Sequence, residues 1–226
     1  MSTLTDFERA QGEEPLLKQG KTGARGMIRG TPQMTLQHMR DQASDQILWP
    51  DPQTFTDKDN IQLRVMTDAG LAYPLWTMQV HKVFEVPLFM MCSYLVIESY
   101  DGRNVWHNDD TWMVGESLRS VGAEVPTERT YNVYTVYRSR FGYQGIGPQG
   151  LTSLPFQNRG DFYGGSWHPR ANMAGANSWF REMLDAGKTM DDIAHMYNPG
   201  SPNYPDRHKE QRGIWRKRFQ DALDAA

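Results

Sequence analysis

Cysteine is almost absent: Cys92 is the only one in 226 residues. That excludes an internal disulfide and a thiolate-based zinc cluster. Its place inside an apolar run predicts inert packing. Long apolar runs are missing too, since none approaches the roughly 20 residues that span a bilayer, and mean hydropathy is −0.68. Neither sign of charge dominates. The formal net charge is −3 and the pI near 6.1, whereas a general nucleic-acid binder carries a basic excess. The stretch after Met1 is polar and acidic, so no secretory signal peptide is expected. No internal repeat or low-complexity segment is visible.

Aromatics are plentiful, with seven Trp and ten Tyr. They suit a core, and they also suit a groove that stacks sugar rings. The length predicts one domain with a real core and an extra arm. Residues 1–60 are rich in Gly, Gln, Asp and Thr, and read as an extended or partly disordered arm, with a short helix possible over Met34 to Leu48. Residues 61–226 form the expected domain.

Within it, Pro74 to Phe84 has helical apolar spacing and a proline start. Tyr100 to Val125 reads as a long loop. Thr127 to Phe141 reads as an amphipathic helix carrying Tyr131, Tyr134 and Tyr137, and Gly142 to Gly165 as loop-rich. Further helices are expected over Asn172 to Ala186, with Gly187 as the stop, and over Thr189 to Tyr197, with Thr189 as the cap. The last, Asp206 to Leu223, carries Ile214, Trp215, Phe219 and Leu223, with Arg207, His208, Lys209, Arg212, Arg216, Lys217 and Arg218 as a solvated basic face. The fold class expected is mainly α, α+β at most.

One carboxylate stands out. Leu88 to Ile97 is apolar all round, so its helix should be buried in the protein's centre. Pro87 suits its first position and Gly102 its stop. Glu98 ends this run. A carboxyl there is partly desolvated, which raises its pKa towards that of a general acid working near neutral pH.

Three segments gain meaning beside Glu98. They are Trp106-His107-Asn108-Asp109-Asp110, Gly145-Ile146-Gly147-Pro148-Gln149-Gly150-Leu151-Thr152, and Tyr197-Asn198-Pro199-Gly200-Ser201 followed by Tyr204. Glycines let backbone groups approach a glycan closely. Tyr197 and Asn198 suit a sugar ring and its N-acetyl group through stacking and an amide hydrogen bond. His107, Asp109 and Asp110 make a poor metal set, being adjacent loop residues with no fourth ligand. Asp109 and Asp110 equally suit a solvated turn.

With Glu98-Ser99-Tyr100-Asp101-Gly102, and with Trp167-His168-Pro169-Arg170-Ala171-Asn172, these segments resemble, in order and spacing, the lysozyme-like glycosidases of phage lysins. Those are relatives of goose-type lysozymes and lytic transglycosylases. The resemblance covers about residues 70 to 220.

It implies a lysozyme-like fold whose buried central helix ends in the catalytic Glu98. The implied partners in catalysis are Asp109 and Asp110. Substrate contacts would come from Ser99, Trp106, Gly145, Gly147, Gln149, Thr152, Tyr197 and Asn198. The activity implied is cleavage of the N-acetylmuramic acid to N-acetylglucosamine β-1,4 bond of peptidoglycan, without metal or cofactor. A partner carboxylate that positions water would lie roughly 6.5–9.5 Å from Glu98. Without one, the sugar's N-acetyl group would attack and leave an anhydro product. Such an enzyme would reach the wall through a holin pore or as part of a virion.

The chain departs from the family at two points. Gly150 stands where the family has Gln, with Gln149 one place early, and Pro199 lengthens the Tyr-Asn-Gly-Ser turn. A structural virion or tail protein that keeps the fold without the chemistry, and a chitinase-like hydrolase, are the alternatives.

Overall fold

Thr56 starts the first helix described here, α1 (Asp57–Asp68), through a reciprocal capping box with Asp59. Thr56 N–H donates to Asp59 Oδ2 at 2.9 Å and Asp59 N–H to Thr56 Oγ1 at 3.3 Å. The computed structural model describes residues 47–102, 128, 131, 132, 134, 135 and 145–226. Ahead of α1 a 3-10 turn covers Pro52–Thr54. The boundary expected between residues 60 and 61 falls inside α1. Chain from Trp49 onward already packs on the helices: Gln79 Nε2 donates to Pro50 O at 2.9 Å, and the Arg170 guanidinium lies 4.7 Å from the Trp49 ring centre.

Helix α2 (Pro74–Phe84) has the bounds its spacing predicts, with Pro74 at its first turn. Lys82 on α2 pairs with Asp59 on α1 at 2.6 Å. Helix α3 (Leu88–Ser99) follows, capped by Pro87, which therefore sits one place ahead of the first helical position expected of it. Met90, Met91, Cys92, Ser93, Tyr94 and Leu95 are all fully buried, so the run without a polar stripe lies in the core as expected. Burial pushes the Cys92 thiol far up, which keeps it inert.

Helix α3 stops abruptly. Tyr100 (φ 48°), Asp101 (φ 65°) and Gly102 (φ 88°) are all left-handed, a conformation that costs a side-chain-bearing residue about 1–3 kcal/mol. The turn is held by Gly102 N–H to Leu95 O (3.2 Å) and Ala72 N–H to Asp101 O (2.8 Å). Glu98 and Ser99 thus occupy the last turn of a rigid rod.

Four more helices have bounds among the described residues: α4 (Leu154–Phe162), α5 (Pro169–Asp185), α6 (Met190–Tyr197) and α7 (Tyr204–Asp224). Helix α3 packs on α7 and α2, α5 on α4 and α2, and α7 on α1 and α6. The described residues contain no strand; a single antiparallel bridge joins Ile146 and Leu151. The fold is mainly α. Among the described residues, no helix is long and apolar enough to cross a membrane.

Several differences from the expected elements have physical causes. Helix α4 lies in the stretch read as loop, because its buried residues are Gln157, Gly160 and Asp161, the reverse of an apolar stripe. Helix α5 starts at Pro169 rather than Asn172, since proline suits a first helical position. In α7 the buried face is Tyr204, His208, Arg212, Trp215 and Phe219, so His208 and Arg212 leave the expected solvated basic face, while Ile214 is 37% exposed. Residues 128, 131, 132, 134 and 135 are helical. There Tyr131 donates to Asp161 (3.0 Å), and the Tyr134 hydroxyl accepts from Gln157 (2.9 Å). The short helix considered over Met34 to Leu48 lies outside the described residues except for Ile47 and Leu48, which are not helical.

Candidate active site

The loop that faces the end of α3 is built on glycine and asparagine. Gly147 has φ 74°, and a Cβ there would stand 2.3 Å from the Asn172 amide, so only glycine fits. Asn172, fully buried in α5, donates to Ile146 O (2.7 Å) and Ser166 O (3.1 Å) and accepts from Gln149 N–H (3.0 Å). From the other side, Ser99 donates to Pro148 O and Tyr197 to Gln149 O. Helices α3, α5 and α6 therefore fix this loop together.

Between it and the start of the turn after α6 lies a cavity of about 340 Å³. Glu98, Gly150, Thr152, Ser153, Phe156, Tyr197 and Asn198 line it. Phe156 and Tyr197 meet edge to face at 5.1 Å, giving the cavity an aromatic side.

Glu98 is half-buried. Burial pushes its carboxyl up to about 7, against the opposing pull of a hydrogen bond from Tyr204 and the nearby Arg207 charge. The Tyr204 hydroxyl donates to Glu98 Oε1. At neutral pH a large fraction of Glu98 is thus protonated at the edge of an open cavity. Such a group can hand a proton to an oxygen that becomes a leaving group.

The structure brings Glu98, Thr152, Tyr197 and Asn198 of the expected residues together in one cavity. It places others beneath that cavity. Ser99 is fully buried and holds the loop instead of facing substrate. Gln149 is also fully buried: Asn177 Nδ2 donates to its Oε1 at 3.3 Å. Gly147 serves the loop's geometry against Asn172. Gly145 is buried at the loop's start and does not line the cavity. Trp106, Asp109 and Asp110, with His107, lie outside the described residues.

Sequence reasoning placed Gly150 in the loop that approaches the glycan and named Tyr204 beside the Tyr197 turn without a role, and it missed Ser153 and Phe156. Phe156 sits in the helix hidden by its polar buried face. Tyr204 meets Glu98 across 106 residues, with no local signal. Among the described residues, no group of three His, Cys, Asp or Glu side chains is placed to hold a metal ion. The chain matches no family model, no curated protein and no solved structure.

Proposed function

We propose that the protein is a phage-type glycosidase that cuts the glycan strands of peptidoglycan, with Glu98 as the general acid. The observation that carries this reading is a carboxyl pushed up to about 7 at the edge of a cavity with polar and aromatic sides. Cleaving a glycosidic bond requires a protonated acid beside the leaving oxygen. The bond is the β-1,4 link between N-acetylmuramic acid and N-acetylglucosamine, with Tyr197 and Asn198 against a sugar ring and Thr152 in the same lining.

Glu98 protonates the bridging oxygen, the C1–O bond breaks, and positive charge develops on the sugar. In a hydrolase Asp109, with Asp110 beside it, activates the water that ends at C1 as a reducing hydroxyl. In a transglycosylase the N-acetyl oxygen attacks first. The 6-hydroxyl then closes an anhydro ring and its proton returns to Glu98. The enzyme needs no metal or cofactor for either route. Release through a holin pore, or carriage in a virion, brings it to the wall.

Mass spectrometry of soluble fragments from purified peptidoglycan tests the reading. Reducing muramic ends establish hydrolysis and anhydromuramic ends transglycosylation. Asp109→Asn then nearly abolishes the first route and costs the second much less. Chitin oligomers cut while peptidoglycan stays whole would mean a chitinase-like hydrolase. No cleavage of either would mean a structural virion or tail protein, a reading that the inward-turned Gln149 favours.

A further inference from the structure

We propose that Tyr204 is the positioning residue of Glu98, gripping Oε1 so that the transferable proton sits on Oε2. This rests on the reading of Glu98 as proton donor. A phenol that donates to Oε1 leaves that oxygen as the carbonyl-like acceptor in the protonated carboxyl. The acidic proton is then confined to Oε2, which has no protein partner among the described residues. Once the proton has left, the same phenol donates to the carboxylate, a stronger charge-assisted bond. Tyr204 therefore serves both states of the acid without changing its own.

The ring is held where this requires. Tyr204 is 2% exposed and stands at the first position of α7, where its N–H donates to Ser201 O at 3.1 Å. Its ring centre lies 4.4 Å from that of His208 and 6.4 Å from that of Tyr94. His208 is itself fixed, its ring tilted against Tyr94 with centres 4.0 Å apart and Nδ1 3.0 Å from Ser93 Oγ. Because α3 supplies both Tyr94 and Glu98, the hydroxyl and the carboxyl belong to one packed unit.

The groups that face Glu98 come from three elements. They are Tyr94 on α3, Tyr197 on α6, and Tyr204 and Arg207 on α7. Burial pushes all three phenols up, so they stay neutral, and Arg207 is the charged group among them. The Tyr197 hydroxyl is committed to Gln149 O. Only Tyr204 holds Glu98 by a hydrogen bond among the described residues.

Tyr204→Phe keeps the ring and removes the hydroxyl. The Glu98 carboxyl is followed by infrared difference spectroscopy against pH, its C=O band identified by its loss in Glu98→Gln. Losing a donor to the charged form raises the midpoint by about one pH unit, a tenfold gain in proton affinity. The C=O band also moves to higher frequency. Tyr197→Phe leaves midpoint and band in place. An unchanged or lowered midpoint in Tyr204→Phe, or an equal rise in Tyr197→Phe, overturns the assignment.

Should Tyr204→Phe not fold, proton NMR of the intact protein decides. A slowly exchanging phenolic proton that shifts with Glu98 ionisation, and moves in Glu98→Gln, is the expected result; its absence contradicts the bond. No substrate enters either measurement. A protein inert on peptidoglycan would overturn the glycosidase reading and leave the Tyr204 result standing on its own.

Discussion

At the residue scale, the environment of Glu98 has consequences that need no substrate. Its folded pKa is raised to about 7 from an ordinary 4.5. A raised carboxyl favours folding while protonated, so its contribution is full below pH 4.5 and is lost as pH rises through 7. At about 1.4 kcal/mol per unit the loss is at most about 3 kcal/mol, since solvent reaches the cavity. Glu98→Gln removes that pH dependence. Its melting temperature should match wild type at pH 5 and exceed it at pH 8, read by calorimetry. With the same sign, the acid-dependent rate of glycan cleavage should fall tenfold per unit above pH 7, seen in a pH–rate profile.

At the element scale, the loop and its supporting helices depend on two close approaches. A Cβ on Gly175 of α5 would stand 2.5 Å from Gly160 N of α4. That is a backbone contact, so the helices must separate. Gly175→Ala should cost about 1–3 kcal/mol in urea unfolding, the range for overpacking. Asn172→Ala takes the amide from Ser166 O and Gln149 N–H and leaves Ile146 O with Leu151 N–H alone, and should cost about 2–3 kcal/mol.

Helix α2 and the Thr189 cap of α6 were legible because their signals are local: apolar spacing, proline, a capping threonine. The apolar run of α3 likewise announced a core helix. Helix α4 was hidden because Gln157 and Asp161, not leucines, face inward, and α1 because only Asp59 and Met66 of its twelve residues are buried. The cavity follows the same division. Glu98, Thr152, Tyr197 and Asn198 belong to short local patterns. Tyr204 joins them through tertiary packing alone, and Ser99 and Gln149 turn inward for reasons held in Pro148, Asn177 and Tyr197.

At the scale of the whole molecule, net charge and local charge pull apart. The chain totals −3, yet α7 exposes Arg207 and Arg218 on one flank of its buried face and Lys209 and Arg216 on the other, while Lys217 pairs with Asp221 between them. An anionic cell wall would meet these two basic flanks rather than the average charge. Binding to purified walls, measured by co-sedimentation, should weaken steeply as salt rises from about 0.05 to 0.5 M, because screening shortens the reach of exposed charges. Charge-reversing Arg216 and Arg218 together should weaken binding at low salt and reduce that salt dependence.

The central claim is that one half-buried carboxyl at the end of α3 breaks the glycan. Release of soluble muropeptides from purified peptidoglycan at pH 6, by wild type and by folded Glu98→Gln, tests it most directly. Glutamine fills the same space and cannot donate an acidic proton, so release should fall at least about a hundredfold, the low end for loss of a general acid. Equal release by the two proteins, or none by the wild type, would contradict it.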